Sequence, residues 1–257
     1  MEILKEDDRG FVERETEPGA APLMFVTPCG RHSSQAELAL IRAEAEVASP
    51  TVRTAAATRK RAIHAIIALL LLVFLAPVLL IVAALVALTD PGPVFYRQKR
   101  VGKDGKPFDC LKFRTMRVDA EARLVELLAQ DPVLRAEWEA TRKLEDDPRI
   151  TPIGHFLRLS SLDELPQLVN VVAGDINLVG PRPIIASELP CYGRYLRHYL
   201  SVRPGLTGMW QISGRSSTTY RRRVAADVLY VRRRSLALDC YIVVATVPAV
   251  LFAKGAV

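Results

Sequence analysis

The longest apolar segment of the chain sets the first constraint on its fold. Residues 62–88, AIHAIIALLLLVFLAPVLLIVAALVAL, contain no Asp, Glu, Lys or Arg. As one straight helix this segment would be about 40 Å long, whereas the hydrocarbon core of a bilayer is about 30 Å thick. An uncharged stretch of this length predicts a membrane helix.

Two features of this segment bear on how the helix enters a membrane. Pro77 lies near its middle, after Ala76, and a proline there removes a backbone donor and bends the helix. Basic residues flank both ends, at positions 53, 59, 60 and 61 and at positions 97, 99, 100 and 103. The positive-inside rule assigns both flanks to the cytoplasm. The pattern fits two topologies equally: a re-entrant hairpin broken at Ala76-Pro77, and a single-pass anchor with a proline kink.

The rest of the sequence predicts short helices and strands separated by Pro and Gly residues. Residues 1–58 mix charges with Pro, Ala and Ser and are predicted to be a disordered tail. Asp104-Gly105 predicts the turn of a β-hairpin between strands at 94–101 and 107–114. Helices are predicted at 118–145, 152–160, 164–173, 187–200 and 219–233, with an apolar interfacial helix at 236–253. Trp210 and the tyrosines at 192, 195 and 199 fit an interfacial aromatic belt.

The charge balance narrows the class of partner. A net charge of +7 favours anionic partners. Beside a membrane helix, lipid headgroups and phosphorylated substrates are better candidates than nucleic acid. The four cysteines form no C-x-x-C pair and have no His at ligand spacing, so neither a disulfide framework nor a zinc site is indicated.

The sharpest local motif is an acidic pair, Asp163-Glu164, within SSLDELPQ. Ser161 and Glu164 have the capping-box spacing, and Pro166 is tolerated only near a helix start, which predicts the pair in a first helical turn. Alone, this indicates an ordinary cap, since carboxylates there complement the helix dipole. Contact with phosphates would require a metal or cations beside the pair.

Basic residues in a strand and in stiff loops supply candidate cations. They are Lys112, Arg114, Arg158, Arg182, Arg203 and Arg215. Lys112 and Arg114 are two residues apart on one predicted strand and therefore on one face. Arg182 lies between two prolines, so its guanidinium loses less entropy on binding a phosphate. The repeated combination of Arg with Pro and Gly predicts a phosphate-binding surface.

Six short motifs follow one another in a fixed order. They are KFRTM (112–116), DPRIT (147–151), SLDELPQL (161–168), VGPRP (179–183), RPGLTG (203–208) and QISGR (211–215). As a set they resemble the bacterial sugar transferase family, the monotopic phosphoglycosyl transferases, from about residue 60 to the C-terminus. Segments 136–138 and 141–148 resemble the galactosyl-phosphate transferases that initiate exopolysaccharide synthesis. His64 stands where an Asp is common in the family, and Ala76 where a Ser is common.

The resemblance implies an activity and roles for these residues. Asp163 would be the nucleophile, and Glu164 would help to hold Mg²⁺, with Mn²⁺ as the alternative. The phosphate site would be lined by Lys112, Arg158, Arg182 and Arg203. Hexose-1-phosphate would pass from a UDP-sugar, with galactose or glucose favoured, to undecaprenyl phosphate through a covalent aspartyl intermediate. A non-catalytic membrane scaffold or regulator of polysaccharide assembly is the alternative, and it would have no use for the carboxylate pair.

The resemblance also implies an architecture and a location. The expected fold is α-rich α+β, with a re-entrant membrane helix at 59–90 and a cytoplasmic catalytic domain at 91–257 that carries interfacial helices and Pro/Gly-rich loops. The chain would lie at the cytoplasmic face of the bacterial inner membrane. Its partners would be the UDP-sugar, undecaprenyl phosphate and inner-membrane lipids, with no nucleic acid expected and a homodimer left open.

Overall fold

A computed structural model describes residues 55–141, 144–213 and 219–251. Within these ranges the α-helices are α1 (Ala55–Thr89), α2 (Ala120–Gln130), α3 (Pro132–Thr141), α4 (Pro152–Ser160), α5 (Gln167–Ala173), α6 (Leu189–Tyr192), α7 (Leu196–Leu200), α8 (Met209–Ile212), α9 (Tyr220–Arg233) and α10 (Leu236–Leu251). The strands are β1 (Phe95–Val101), β2 (Pro107–Phe113), β3 (Asn177–Val179) and β4 (Gly205–Thr207). The prediction of a helix-rich chain with a small antiparallel hairpin is confirmed. Of the predicted tail at 1–58, residues 1–54 lie outside the described residues, and residues 55–58 belong to α1.

Helix α1 is one continuous helix that contains Pro77. It is long and apolar enough to cross a membrane, and only 11% of its most apolar window is buried against the rest of the chain. Phe74 is 79% exposed and Leu88 is 82% exposed. A core helix of a soluble protein would bury such residues, so this exposure fits a helix whose surroundings are lipid.

Polar contacts tie the start of α1 to the rest of the protein. Lys60 Nζ lies 2.6 Å from Asp239 Oδ2 of α10. His64 Nδ1 accepts a hydrogen bond from the Leu178 N–H at 3.0 Å, and its Nε2 lies 3.6 Å from Asp239. His64 therefore makes polar contacts with both β3 and α10. These contacts also explain why Asp239 interrupts an otherwise apolar helix.

The end of α1 is held to the same domain. The Val118 N–H donates to the Asp90 carboxylate at 2.9 Å, and Arg114 donates to the Asp90 carbonyl. Between the two ends, α1 packs on buried apolar side chains. In the first half Ala68 packs with residues of α5, β3, α9 and α10, and in the second half Val82 and Val86 pack with Phe113 and Leu157.

The hairpin of β1 and β2 forms as predicted, with a 3-10 turn over Lys103–Gly105. The register places Lys112 opposite Tyr96 and Arg100 opposite Phe108, so Lys112 and Arg100 lie on one face. Asn170 of α5 fixes the hairpin by accepting from the Leu111 N–H at 3.0 Å and donating to the Asp109 carbonyl at 2.8 Å.

The short strands β3 and β4 pair in parallel and approach each other closely. A Cβ on Gly205 would overlap the backbone of Gly180, so only glycine permits this contact. The loop after β3 carries Arg182 between two prolines, of which Pro181 is almost fully buried. This packing fixes the position from which the Arg182 side chain leaves the backbone.

Two predicted helices are broken in the structure. The range 118–145 forms α2 and α3, because Pro132 has no N–H and Asp131 Oδ1 accepts from the Val133 N–H at 2.8 Å. The range 187–200 forms short helices on either side of Gly193, whose φ is +46°.

The predicted aromatic belt is wrong for Trp210, which is 5% exposed, and for two of its tyrosines. Tyr192 and Tyr199 are each 1% exposed. Tyr192 donates to Asp227 Oδ2 and Tyr199 donates to the Val101 carbonyl, both at 2.7 Å. These partners satisfy the hydroxyl groups inside the domain, so neither side chain needs an interface.

Candidate active site

The ammonium group of Lys112 joins the two carboxylates of the acidic pair. Lys112 Nζ donates to Glu164 Oε1 at 2.6 Å and lies 3.7 Å from Asp163 Oδ2. Lys112 comes from β2, whereas the carboxylates lie 51 and 52 positions further along the chain. The contact therefore depends on the hairpin being docked on α5 through Asn170.

The acidic pair lies in a 3-10 turn, Leu162–Glu164, between α4 and α5. Ser161 has a left-handed backbone (φ 58°) and makes no side-chain cap, so the predicted capping box is wrong. Helix α5 begins only at Gln167. Because Glu164 is bonded to Lys112, its side chain is not used to cap the helix.

Helix α4 brings Arg158 to this turn. Thr151 caps the helix by accepting from the Gly154 N–H at 3.0 Å, and a Cβ on Gly154 would overlap the Thr115 carbonyl. This close approach lets Arg158 Nε donate to Thr115 Oγ1 at 3.0 Å. Burial lowers the pKa of Arg158, and the nearby charge of Asp163 works in the opposite direction.

The two carboxyl groups have opposite pKa shifts. Asp163 is 8% exposed, and burial raises its pKa to about 6, with Lys112 offsetting part of the rise. Burial would also raise the pKa of Glu164, but the charges of Lys112 and Arg182 outweigh it and lower that pKa to about 2. Glu164 is therefore a firmly ionised partner of Lys112, whereas Asp163 is a more basic carboxylate. Such separated values are typical of functional carboxyl pairs.

A narrow cleft opens beside the Lys112–Glu164 pair. Its polar lining consists mainly of Arg100, Lys112, Glu164, Gln167, Arg182 and Gln211. The guanidinium of Arg182 stacks over the Trp210 ring at 5.3 Å, and Arg100 Nη1 donates to the Pro183 carbonyl at 3.0 Å. Three cations and one carboxylate thus face a single cleft, which suits a multiply charged anion.

The structure separates the other predicted phosphate ligands from this cleft. Arg114 does not share the strand face of Lys112, because β2 ends at Phe113, and its guanidinium bonds to Asp90. Its role as a phosphate ligand stays a prediction. Arg203 Nε donates to the Gly174 carbonyl at 2.8 Å, at the end of α5. Arg158 lies beside Asp163, outside the lining of the cleft. Arg215 lies outside the described residues.

Sequence reasoning missed three side chains in the lining, Arg100, Gln167 and Gln211. In the sequence, Arg100 stands out only as one of the basic residues that follow the membrane helix. The hairpin register would have placed it on the face of Lys112, because both side chains follow the alternation set by the Asp104-Gly105 turn. Gln167 and Gln211 lie within two of the six ordered motifs, SLDELPQL and QISGR, and this is the signal that could have identified them.

The carboxylates can be tested against the expected metal. Within the described ranges no group of three or more His, Cys, Asp or Glu side chains could hold a metal ion. Mg²⁺ commonly uses only one or two carboxylates, with substrate phosphates and waters completing its shell. The Glu164 side chain is 32% exposed against 12% for Asp163, so Glu164 is the more accessible oxygen ligand. The donor set fits Mg²⁺ or Mn²⁺ better than zinc.

Comparison with known proteins decides the family. The family model described as bacterial sugar transferase matches residues 55–253. The chain belongs to the bacterial sugar transferase family. This sugar transferase is 46% identical over 204 residues to the exopolysaccharide production protein ExoY of Sinorhizobium fredii, with 79% of this chain and 90% of that protein covered.

Two further relatives have names that describe a reaction. The UDP-galactose-lipid carrier transferase of Erwinia amylovora is 48% identical over 197 residues, which cover 77% of this sugar transferase and 41% of that protein. The UDP-glucose:undecaprenyl-phosphate glucose-1-phosphate transferase of Escherichia coli is 39% identical over 196 residues, which cover 73% of this sugar transferase and 39% of that protein. The region that the family model matches includes the acidic pair and the basic loops.

The opposite pKa shifts of the acidic pair give a stability test. The pKa of Asp163 is raised, so its contribution to stability is present below its ordinary pKa and is lost as pH rises through about 6. Asp163→Asn should therefore increase the free energy of unfolding near pH 8 by on the order of 1–3 kcal/mol, seen as a higher apparent melting temperature, and the gain should shrink toward about pH 5.

Glu164→Gln serves as the matched comparison. The pKa of Glu164 is lowered, so its ionised form stabilises the fold above its ordinary pKa and the contribution is lost only as pH falls toward about 2. We expect this variant to melt below the wild type throughout the range from about pH 5 to pH 8. Thermal unfolding of both variants in the same detergent provides the measurement. If both substitutions raised the melting temperature at about pH 8, or both lowered it, these pKa shifts would be contradicted.

Proposed function

We propose that this sugar transferase moves hexose-1-phosphate from a UDP-sugar, with galactose or glucose as the hexose, to undecaprenyl phosphate. The observation that carries the proposal is the ammonium of Lys112, 2.6 Å from Glu164 and 3.7 Å from Asp163, beside a cleft lined by Arg100 and Arg182. The names of the relatives supply the substrate class. Galactose is the first choice, because the relative named for it is more similar than the one named for glucose.

In the first step a carboxylate oxygen of Asp163 attacks the phosphorus that carries the sugar. A bond forms between that oxygen and phosphorus as the bond to the bridging oxygen breaks, and UMP leaves with the electron pair. Arg182 is fixed between prolines and over Trp210, which suits it to bind the leaving phosphate. The raised pKa of Asp163 makes its carboxylate a better nucleophile than an ordinary exposed one.

In the second step the phosphate oxygen of undecaprenyl phosphate attacks the same phosphorus. The bond between phosphorus and Asp163 breaks, which restores the carboxylate and releases the lipid-linked sugar diphosphate. The covalent intermediate lets one site use two anionic substrates in turn. Two unit charges of the same sign at 4 Å repel each other by about 4 kcal/mol at an effective dielectric of 20. Binding the two anionic substrates one after the other avoids this repulsion between them.

We propose that Mg²⁺, or alternatively Mn²⁺, would offset the negative charge of the substrate phosphates. Glu164 would hold it together with substrate phosphate oxygens, and the ion would supply positive charge for the leaving phosphate. Lys112 keeps Glu164 ionised, because the pKa of that carboxyl is lowered to about 2. A metal ligand must be deprotonated, so Glu164 meets this condition at any physiological pH.

We propose a re-entrant topology for α1, with both flanks at the cytoplasmic face of the inner membrane. Support comes from the two ends of the helix, since Lys60 and Asp90 are both bonded to the same domain. A straight crossing from residue 60 to residue 90 would span about 45 Å and separate these ends by the bilayer. Pro77 provides a place for the chain to bend back.

The function is tested with labelled UDP-galactose and UDP-glucose and undecaprenyl phosphate. The wild type should form a labelled lipid product and release UMP, whereas Asp163→Asn should lose at least about a thousandfold in rate, since it removes the nucleophile. The matched control is Asp146→Asn at an exposed position, which should leave the rate unchanged. Failure of the wild type to turn over either sugar nucleotide would favour a scaffold or regulator of polysaccharide assembly.

Metal removal tests the role of Glu164. EDTA should reduce the rate to background, and added Mg²⁺ should restore it. Glu164→Gln should need more Mg²⁺ or lose turnover, while Glu126→Gln on the exposed side of α2 should behave as the wild type. Full activity in EDTA would mean that the cations of the cleft suffice and that Glu164 holds no ion.

Topology is tested with single cysteines at positions 59 and 97, both exposed, in a variant without other cysteines. An impermeant maleimide should label both positions in inverted vesicles and neither in right-side-out vesicles. A permeant maleimide provides the control for reactivity. Labelling of one position from each side would establish a single-pass helix.

A further inference from the structure

A second, larger hollow lies away from the carboxylate pair. It has a volume of about 460 Å³ and is lined by Arg194, Tyr195, Arg197, His198 and Arg232, none of which lines the active-site cleft. We call it the α7–α9 hollow, because its residues lie in α7, in the 3-10 turn before α7 and at the end of α9. Its size is within the range of small-molecule sites.

The arginines of the α7–α9 hollow are not paired with carboxylates in the described part of the chain, whereas Arg100 and Arg223 both lie within 4 Å of Glu188. The Arg194 guanidinium stacks on the Tyr195 ring at 5.0 Å and donates to its hydroxyl at 2.9 Å, which limits its motion. Converging like charges repel each other, so the hollow favours a bound anion.

His198 lies among these arginines in the lining of the hollow. Burial lowers its pKa first, and the charges of Arg232 and Arg197 lower it further. The imidazole is therefore neutral at physiological pH, and the positive charge of the hollow comes from its arginines. Arginine suits phosphate oxygens in particular, because its planar group can donate two parallel hydrogen bonds.

The position of the α7–α9 hollow identifies the source of that phosphate. Arg232 lies in the last turn of α9, and α10 begins four residues later, at most about 14 Å along the chain. Leu236 and Val244 of α10 are 61% and 70% exposed. Asp239 of α10 is bonded to Lys60 at the start of the membrane helix. The hollow thus lies a few residues from the start of α10, which is itself joined to the start of the membrane helix.

We propose that the α7–α9 hollow binds the headgroup of an anionic phospholipid, with the acyl chains along the exposed apolar side of α10. The phosphate would be held by Arg197 and Arg232, and Arg194 would add a third charge. This site is separate from the one proposed for undecaprenyl phosphate, and it does not depend on the sugar chemistry. The bound lipid would hold α9 and α10 at the depth of the headgroups.

The test counts phosphatidylglycerol molecules retained by the full chain, using native mass spectrometry after exchange into mixed micelles. Arg197→Gln with Arg232→Gln should weaken retention roughly fivefold per arginine, or about 25-fold for the pair. Arg123→Gln with Arg135→Gln removes the same charge from α2 and α3 and should change retention less than about twofold. Replacement of both hollow arginines by lysine should keep most of the binding.

Two further arms distinguish the source of the phosphate. Phosphatidylcholine, whose headgroup has no net charge, should be retained much less than phosphatidylglycerol, and millimolar inorganic phosphate should not displace the lipid. Equal retention of the two lipids, or displacement by inorganic phosphate, would overturn the assignment to an anionic phospholipid. Retention by the Arg197→Gln, Arg232→Gln variant equal to that of the wild type would overturn the site itself. Because sugar transfer is not the readout, these results are independent of the proposed enzymatic activity.

Discussion

The ion pair of Lys112 with Glu164 is the contact on which the site depends. Lys112 belongs to the hairpin that follows the membrane helix, and its ammonium bonds to Glu164 in the acidic turn that precedes α5. Without it, two adjacent carboxylates would face each other in a half-buried site, where like charges cost several kcal/mol. With it, Glu164 stays ionised and Asp163 remains a carboxylate whose pKa of about 6 is still below physiological pH.

The membrane helix and the chemistry are coupled through shared packing. Leu157 and Phe113 pack against the second half of α1, and each lies within a few residues of a group in the site. Phe113 follows Lys112, and Leu157 precedes Arg158. A shift of α1 in the membrane would therefore move both cations. This arrangement suits the proposed transfer to a lipid acceptor that reaches the site from the bilayer.

Local patterns in the sequence predict the parts of the fold that depend on neighbouring residues. The uncharged run at 62–88 predicts α1, and Asp104-Gly105 predicts the hairpin. The Lys112–Glu164 pair could not be predicted, because it requires Asn170 to dock the hairpin on α5 over a long separation. Tyr192 looked interfacial because its buried partner on α9 is invisible in a local pattern.

The proposed mechanism depends on covalent attachment of sugar phosphate to Asp163. Intact-mass measurement of the purified chain incubated with Mg²⁺ and UDP-galactose, or UDP-glucose, in the absence of undecaprenyl phosphate tests it most directly. We expect a mass gain of one hexose phosphate, localised by peptide mapping to the turn that contains Asp163 and discharged when undecaprenyl phosphate is added. An unmodified chain that still makes lipid product at full rate would contradict a covalent route through Asp163.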